Sequence, residues 1–390
     1  MALRHLTSIN DLTNEEIERI FLLAEDFLED LGDRDLPARI GRSVDACAGA
    51  VMATVFYEPS TRTRLSFESA MCRLGGKVIS SADPAASSTA KGETLADTAR
   101  IVSAYADVIV LRHPLEGAAR LAAQYSTVPV INGGDGAHEH PTQALCDLFT
   151  IQREKGALQN LNVALFGDLK NSRTIHSLAY ALARFGANLL LMPAPGMELP
   201  GSVEHRLHGE FDYAPLNLGG NLPDGVTKVY GLNDAVVNSA IDVLYLTRFQ
   251  KERWTDTKRH YPVVNRELVA APCFRQSLVM HALPRAGELD PAFDSDPRAA
   301  YFRQASYGVP IRMALISLLL NHGAGGSLER FVGGFRATAR STLHKSGTLC
   351  SNFNCISHVE GRVHRERLAI KPERPRCLYC DHEILQSPGE

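Results

Sequence analysis

The chain has 390 residues, which is enough for two domains with sizeable hydrophobic cores and a small third one. A formal net charge of −3 and a hydrophobic content of 45% are typical of a globular protein, so overall charge gives no reason to expect a nucleic-acid or membrane partner. The N-terminal sequence lacks the apolar core of a signal peptide, and the apolar runs are shorter than the roughly 18 residues that span a bilayer. We therefore expect a cytoplasmic location.

Short apolar segments and amphipathic helical patterns alternate along most of the chain. A first helix is predicted after the capping-box pattern of Thr13 and Glu16. The first series has predicted strands at 50–57, 77–80, 107–111 and 128–132, and helices at 63–74, 93–105, 115–125 and 141–153. The second has strands at 162–166, 188–192, 242–246 and 277–280, helices at 172–185 and 232–239, and a long final helix at 306–320. This order predicts an α/β fold with two doubly wound parallel-sheet domains.

The segment Ser60–Arg64 falls between the first predicted strand of this series and the helix that follows it. Unpaired backbone N–H groups and the helix dipole attract anions to such a turn, and its hydroxyls and guanidiniums complete a cradle for phosphate. A short string of this kind, taken alone, is more often an N-capped helix with solvated arginines.

Five other segments place polar residues where a predicted strand gives way to a turn. They are 111–114, 134–143, 167–174, 247–253 and 281–285. Each contains Arg or His, and ligands of such folds bind at the carboxyl ends of strands. Together with Ser60–Arg64 they predict a pocket for a small polyanion.

These segments together resemble the transcarbamoylase family, and its aspartate carbamoyltransferase branch in particular. Ser60–Arg64 matches the carbamoyl phosphate signature of the family, and the His-Pro-Thr-Gln sequence from His140 to Gln143 matches its second motif. The segments 247–253 and 281–284 favour the aspartate branch. The motifs occur in the order and spacing of the family, over about residues 1 to 325.

The resemblance implies an enzyme of pyrimidine biosynthesis that transfers the carbamoyl group of carbamoyl phosphate to the α-amine of L-aspartate. It implies that carbamoyl phosphate is bound by Ser60, Thr61, Arg62, Thr63, Ser87, Lys91, Arg112, His140 and Gln143. The catalytic residues among these would be Arg62, Thr63, Arg112 and His140. Aspartate would be bound by Arg173, Arg248, Gln250, Leu283 and Lys91, and Glu58 would bridge Arg173 and Arg253 in the closed form. The resemblance implies no metal in the active site.

The resemblance also implies a homotrimer, in which the 83–94 loop of a neighbouring subunit inserts Ser87 and Lys91 into the site. An ornithine carbamoyltransferase is one alternative, but that branch usually has Cys where this chain has Ala282, and Arg248 suits a carboxylate better than an ammonium. The other alternative is a non-catalytic scaffold with a zinc-linked interaction module. The complete set of ligand residues argues against it.

Four of the eight cysteines are crowded into the C-terminal tail, whereas the other four are scattered singly, as expected of reduced, buried thiols. Two pairs, Cys350 with Cys355 and Cys377 with Cys380, have the spacing of a tetrahedral four-cysteine zinc site. The intervening segment is predicted to form a small antiparallel sheet. Four thiolates leave no open coordination position, so the Zn²⁺ would be structural.

This tail resembles the zinc domain of the aspartate carbamoyltransferase regulatory chain, on the residues 354–358 and 377–380. The resemblance implies contact with protein rather than nucleic acid, and leaves open whether the tail braces a trimer or links two trimers. The expected domains are 1–145 for carbamoyl phosphate, completed by the helix 306–322, and 146–305 for aspartate. A linker at 323–344 and a zinc-ribbon domain at 345–390 are expected to follow.

Overall fold

The computed structural model describes residues 5–31, 44–82, 88–217, 240–250, 261, 263–320, 343–345, 350–360, 366–368 and 376–383. The chain divides into two compact units. The first comprises residues 1–142 and 309–390, and the second comprises residues 143–308.

The first unit contains a four-stranded parallel sheet of order β2-β1-β3-β4. Its strands are β1 (Val51–Phe56), β2 (Lys77–Ser81), β3 (Val108–His113) and β4 (Val130–Asp135). Its helices are α1 (Asn14–Asp30), α2 (Thr61–Arg73), α3 (Leu95–Ser103) and α4 (Ala118–Tyr125). Helix α1 begins at a capping box in which Thr13 and Glu16 each accept from the other's backbone N–H.

The second unit contains a five-stranded parallel sheet of order β7-β6-β5-β8-β9. Its strands are β5 (Asn162–Gly167), β6 (Asn188–Pro193), β7 (Leu216–Asn217), β8 (Val243–Leu246) and β9 (Leu278–His281). Its helices are α6 (Arg173–Arg184), α7 (Gly201–Phe211) and the short α8 (Arg266–Val269). Two longer helices, α5 (Pro141–Lys155) and α9 (Tyr301–Leu320), contribute residues to both units.

The strands of both sheets are largely buried, apart from the exposed edge strand β2, which explains why most of them are short continuous apolar runs in the sequence. In β8, for example, all four side chains from Val243 to Leu246 are buried. The prediction of two parallel α/β sheets is confirmed.

Some elements differ from the prediction. Helix α9 begins at Tyr301 rather than at residue 306, and α7 and β7 were not predicted. The helix predicted at 232–239 lies outside the described residues. Cys47 and Cys146 are buried, but Cys72 is exposed and Cys273 is half-buried, so the prediction that the scattered cysteines are buried is wrong at those two positions.

The tail contains three short antiparallel strands, whereas the small sheet was predicted for the segment between the two cysteine pairs, and the first of these strands precedes Cys350. They are β10 (Leu343–Lys345), β11 (Glu366–Leu368) and β12 (Arg376–Cys377), in that order across the sheet. Within the described parts of the chain, no helix is both long enough and apolar enough to cross a membrane.

Candidate functional site

The carboxyl ends of β1, β3 and β4 lie side by side at one edge of the first sheet. Phe56 of β1 is paired with Arg112 of β3, and Leu111 of β3 is paired with Asn132 of β4. Because the three strands are parallel, the segments that follow them emerge at this same edge. The register therefore brings together the predicted residues of 60–64, Arg112 and the loop before α5.

The first of these segments forms the N-terminus of α2. Ser60 is the N-cap residue, in an extended conformation with φ −160° and ψ 95°, and its side chain makes no capping hydrogen bond. Thr63 is buried, whereas Thr61 and Arg62 are exposed. The helix start thus presents backbone N–H groups together with hydroxyl and guanidinium side chains, which is a favourable environment for an anion.

Arg112 is fixed at the end of β3 by two contacts within the first unit. Its Nη1 donates to the carbonyl of Gly133 at 3.2 Å, and its Nε lies 3.6 Å from Glu58 Oε2. Glu58, which was predicted to bridge Arg173 and Arg253, therefore contacts Arg112 here. Arg253 lies outside the described residues.

The loop between β4 and α5 is organised by the buried carboxylate of Asp135. This carboxylate accepts from Asn132 Nδ2 at 2.9 Å and from the Gly117 N–H at 2.7 Å, and its Oδ2 is 3.1 Å from His138 Nδ1. Burial would raise the pKa of Asp135, but His138 and the other donors lower it below its ordinary value. Two residues after His138, His140 is buried, with its Nδ1 3.4 Å from Thr142 Oγ1.

Of the two residues predicted to come from a neighbouring subunit, the structure describes only Lys91. Lys91 is exposed at the end of a 3-10 turn, Ser88–Lys91, which follows the edge strand β2. Ser87 lies outside the described residues.

In the second unit, β5, β8 and β9 are adjacent parallel strands, and four of the five predicted aspartate-binding residues, all but Lys91, follow them at one edge. Arg173 is the first residue of α6, after β5, and Arg248 and Gln250 follow β8. Leu283 follows β9 and is joined to Pro284 by a cis peptide bond. The sheet therefore brings together Arg173, Arg248, Gln250 and Leu283 at its carboxyl edge.

Tyr261 ties the ends of β5 and β8 together, a role that the sequence analysis missed. Its hydroxyl donates to the Thr247 carbonyl at 2.7 Å and accepts from the Asp168 N–H at 2.8 Å. A Cβ on Gly167 would lie 2.1 Å from the tyrosine oxygen, so only glycine allows this approach. Tyr261 thereby fixes the backbone immediately before Arg248.

His281, which belongs to the predicted segment 281–285, and Glu288, which was not predicted, hold the two ends of the Leu283 loop. His281 Nδ1 accepts from the Leu283 N–H at 2.7 Å, so its Nε2 carries the proton and donates to Glu288 Oε1, also at 2.7 Å. Glu288 Oε2 accepts from the Ala286 N–H at 2.9 Å. Burial would raise the pKa of Glu288, but the bond from His281 and the backbone donors lower it.

The four tail cysteines converge, with their sulfur atoms all within 4.8 Å of one another. Cys350 Sγ is 3.6 Å from Cys380 Sγ, and Cys355 Sγ is 3.7 Å from Cys377 Sγ. A tetrahedron with Zn–S bonds of about 2.3 Å has edges of about 3.8 Å. The donor set and its spacing therefore fit a Zn²⁺ ion, whereas a disulfide needs about 2.05 Å.

The segments that carry these cysteines, 350–360 and 376–383, form a unit that we call the cysteine module. It packs on α4 of its own chain, and Cys355, Ile356 and Tyr379 share a hydrophobic cluster with side chains of that helix. The Glu116 N–H donates to the Asn354 carbonyl, and the Ile356 N–H donates to the Glu116 carbonyl, both at 2.9 Å. Part of the tail is therefore an integral component of the first unit.

Three side chains strengthen this packing. Arg120 Nη2 lies 2.8 Å from Asp381 Oδ2, and Arg120 Nη1 donates to the carbonyls of Leu378 and Tyr379. His138 Nε2 lies 3.2 Å from the same Asp381 oxygen. The cysteine module thus contacts the loop that precedes His140.

His138, Glu139 and Asp381 form a second group with the spacing of metal ligands. Glu139, however, already accepts from Ser8 Oγ at 2.6 Å and from the Ile9 N–H at 3.1 Å, and Asp381 is paired with the Arg120 guanidinium. These donors supply the positive charge and hydrogen bonds that a cation would provide, so the group does not require a metal.

Two parallel sheets with Arg and His at their carboxyl edges define a two-unit α/β protein of the class that binds small anionic ligands. The model of the aspartate/ornithine carbamoyltransferase carbamoyl-P binding domain matches residues 4–154, and that of the Asp/Orn binding domain matches residues 159–319. The chain therefore belongs to the aspartate/ornithine carbamoyltransferase family. The cysteine module lies outside both matches.

Similar proteins are named as aspartate carbamoyltransferases. The catalytic subunit from Archaeoglobus fulgidus is 47% identical over 319 residues, which are 81% of this chain and 98% of the relative. The subunit from Picrophilus torridus is 46% identical over 317 residues, 80% of this chain and 97% of the relative. The solved catalytic subunit of M. jannaschii aspartate transcarbamoylase aligns with TM-score 0.70 and 43% identity, over 83% of this chain and 100% of that one. A Trypanosoma cruzi aspartate transcarbamoylase in complex with carbamoyl phosphate aligns with TM-score 0.69 and 34% identity, over 80% of this chain and 95% of that one.

Proposed function

We propose that this chain is an aspartate carbamoyltransferase, which forms N-carbamoyl-L-aspartate and phosphate from carbamoyl phosphate and L-aspartate. The observation that carries the proposal is the set of Arg and His side chains at the carboxyl edges of both sheets, in a chain of this family. The family includes ornithine enzymes, but the relatives at 46 and 47% identity are named for aspartate. Arg248 at the edge of the second sheet also suits a second carboxylate rather than an ammonium.

Carbamoyl phosphate would be bound mainly by residues of the first unit. Its phosphate would accept from the N-terminal backbone of α2 and from Ser60, Thr61, Arg62 and Thr63, with Arg112 beside it. The carbamoyl carbonyl would be polarised by Thr63, Arg112 and His140, and Gln143 would bind the carbamoyl NH₂ group. These are neutral or cationic donors aimed at an oxygen that becomes negative during the reaction, which is how such sites accelerate acyl transfer.

The second unit would hold aspartate through Arg173, Arg248 and Gln250, with the Leu283 carbonyl near its amine. The unprotonated α-amine attacks the carbamoyl carbon, a C–N bond forms, and the carbonyl electron pair moves onto oxygen. The C–O bond to phosphate then breaks, and the leaving phosphate takes the electron pair and accepts the proton of the amine. Positioning of two anionic substrates would supply much of the acceleration.

The experiment is an assay of purified protein with carbamoyl phosphate and either aspartate or ornithine. Turnover with aspartate supports the proposal, and Arg62→Ala should abolish it while leaving the thermal unfolding transition in place. Turnover with ornithine alone would contradict the aspartate assignment. An inactive but folded wild-type protein would favour the scaffold alternative.

We also propose that Cys350, Cys355, Cys377 and Cys380 hold a structural Zn²⁺. Their sulfur spacing supports this, as do the Asn352 N–H and the Ser357 hydroxyl, which donate to Cys350 Sγ at 3.4 Å and to Cys355 Sγ at 3.2 Å. Reduced thiols of this kind fit a cytoplasmic protein. Elemental analysis of the native protein should find one zinc per chain, and Cys377→Ser should lose it. A native protein without zinc would refute the assignment.

A homotrimer with shared sites is a further part of the proposal. Ile79 is apolar yet 42% exposed, and it lies on the edge strand β2, which leads into the loop that carries Lys91. A neighbouring subunit at this edge would cover Ile79 and would receive Lys91. The cysteine module would then brace the trimer or link two trimers, and mass measurement in solution would distinguish these assemblies.

A further inference from the structure

A buried carboxylate, Asp147, lies on helix α5 one turn after Gln143. It is fully buried and accepts three hydrogen bonds, each 2.7 Å long. Its Oδ1 accepts from Gln143 Nε2 and from Gln304 Nε2, and its Oδ2 accepts from the Tyr245 hydroxyl. A carboxylate with these partners acts only as an acceptor, so each partner must present a donor to it.

This requirement determines how the Gln143 amide is turned. Because its NH₂ group must face Asp147, its oxygen Oε1 faces the opposite way. No donor among the described residues engages that oxygen. An amide in which one end is fixed offers a single, defined hydrogen-bonding group at the other end, which here is an acceptor.

We propose that Asp147 is a positioning residue that orients Gln143 so that Oε1 accepts a hydrogen bond from the NH₂ group of carbamoyl phosphate. This inference rests on the proposed role of Gln143. With the opposite orientation, Gln143 would present its own NH₂ to the substrate NH₂, and two donors would face each other. Asp147 thereby makes the site selective for a carbamoyl group over an acetyl group, which has the same shape but a methyl in place of NH₂.

The same carboxylate also reaches the loop that carries Leu283. Gln304 donates to Asp147 through Nε2, and its Oε1 accepts from the His281 N–H at 3.0 Å. Residue 281 ends β9, two residues before Leu283. Asp147 therefore fixes two glutamines, one directed at the carbamoyl group and the other at the start of the proposed aspartate loop.

The experiment compares the dissociation constants of two stable ligands that differ only in NH₂ against CH₃, phosphonoacetamide and acetonylphosphonate. Wild-type protein should prefer phosphonoacetamide. Asp147→Leu removes the acceptor and should reduce this preference by about fivefold to tenfold, since one oriented hydrogen bond is lost. Asp147→Asn should keep it, because the asparagine oxygen can accept from Gln143 while its NH₂ donates to the Tyr245 oxygen.

Two controls separate orientation from loss of packing. Tyr245→Phe removes the bond to Oδ2 and leaves the Gln143 bond intact, so the preference should persist. Glu154→Gln weakens the ion pair with Arg303, of 2.6 Å, further along α5, and should lower stability without changing the preference. If Asp147→Leu does not fold, the double variant with Tyr245→Phe, which leaves no orphaned tyrosine hydroxyl, takes its place.

The Gln143→Leu variant separates a failure of the inference about Asp147 from a failure of the proposed role of Gln143. If Gln143→Leu lowers the preference and a folded Asp147→Leu protein does not, the inference about Asp147 is overturned and the role of Gln143 stands. If Gln143→Leu leaves the preference unchanged, Gln143 does not read the carbamoyl NH₂ and both statements fail. If the wild type binds neither ligand, the proposed function itself fails.

Discussion

Arg120 Nη2 lies 2.8 Å from Asp381 Oδ2, so a side chain of α4 holds the residue that directly follows the last cysteine of the cysteine module. Both side chains are largely buried, with exposed fractions of 18% and 15%. The pair is accompanied by bonds from Arg120 to two backbone carbonyls, at 3.2 and 3.3 Å. Arg120 therefore holds the segment around the Cys377–Cys380 pair against α4.

Arg120→Ala should destabilise the packing of the cysteine module by about 2 kcal/mol, because it leaves Asp381 and two carbonyls without this donor. Hydrogen exchange of residues 376–383 measures the effect. Arg100→Ala serves as the control, since Arg100 pairs with the exposed Asp97 on α3 and lies over the Tyr125 ring of α4, and loss of the exposed pair should cost less than about 1 kcal/mol. Equal exchange rates in the two variants would contradict this role of Arg120.

Gly117 provides a second test of the same packing. It has φ +81°, and a Cβ there would lie 2.4 Å from Tyr379 Cβ, so any side chain would displace the cysteine module. Gly49 has a similar φ of +86° but no atom within 4 Å of its Cβ position. An alanine at either position has an unfavourable left-handed backbone conformation, which costs about 1–2 kcal/mol, and only Gly117→Ala also collides with Tyr379.

The prediction is that Gly117→Ala lowers the midpoint of thermal unfolding clearly more than Gly49→Ala, and that it alone makes the tail sensitive to limited proteolysis. Zinc content should be measured on both proteins, so that loss of the metal is separated from loss of packing. Indistinguishable behaviour of the two variants would mean that the module does not need the contact with α4.

His138 gives the packing a dependence on pH. Burial would lower the pKa of its imidazole, but Asp135 and Asp381 outweigh burial and raise the pKa well above 6.5. The folded state therefore holds the proton more tightly than the unfolded state. The resulting stabilisation is fully present below the ordinary pKa of 6.5 and is lost as the pH rises through the raised value.

The free energy of unfolding of zinc-loaded wild type and His138→Gln should therefore differ most in mildly acidic buffer. The difference should shrink in alkaline buffer, where the wild-type imidazole has lost its charge. Chemical denaturation at several pH values measures it. A difference that is constant with pH would show that His138 contributes only as a neutral hydrogen-bonding group.

Glu288→Gln should loosen the loop that carries Leu283. The glutamine amide has the shape of the Glu288 carboxylate, but it lacks the negative charge of the group that accepts the 2.7 Å bond from His281. Loss of a charged acceptor is expected to raise the KM for aspartate about tenfold while the KM for carbamoyl phosphate changes little. Glu267→Gln changes an exposed residue on α8 and is the control. If Glu288→Gln raised the KM for carbamoyl phosphate more than the KM for aspartate, the role of Glu288 in the aspartate loop would be contradicted.

The parts of the fold that were predictable carry their signals locally. The apolar strands, the start of α2 and the cysteine spacing are each readable within a few residues. Helix α7 was missed because a buried arginine, Arg206, occupies its inner face and interrupts the apolar period. That arginine is accommodated by Glu210, at 2.8 Å, and by the ring of Tyr180. A helical pattern with a charge on its buried face resembles a loop in the sequence.

The supporting residues of the candidate site were missed for a different reason. Tyr261 and Glu288 act through partners that the chain brings together only after folding, as in the bond from Tyr261 to the end of β5. Asp147 did leave a signal, a carboxylate on the apolar face of α5 at four residues from Gln143. A charged residue in a buried stretch usually has a partner, and here one of the partners is Gln143, which is itself predicted to bind the substrate.

The shared-site proposal predicts that two inactive variants restore activity when mixed. Arg62→Ala removes a residue that would belong to one chain, and Lys91→Ala removes one that would come from its neighbour. If subunits exchange at random in equal amounts, roughly a quarter of all sites in the trimers would contain both native residues. A mixture of Arg62→Ala with Arg112→Ala is the control, because both residues lie at the edge of one sheet and no mixed site would regain both. Recovery in the first mixture alone supports a site completed across subunits, and no recovery despite demonstrated exchange would place Lys91 in the site of its own chain.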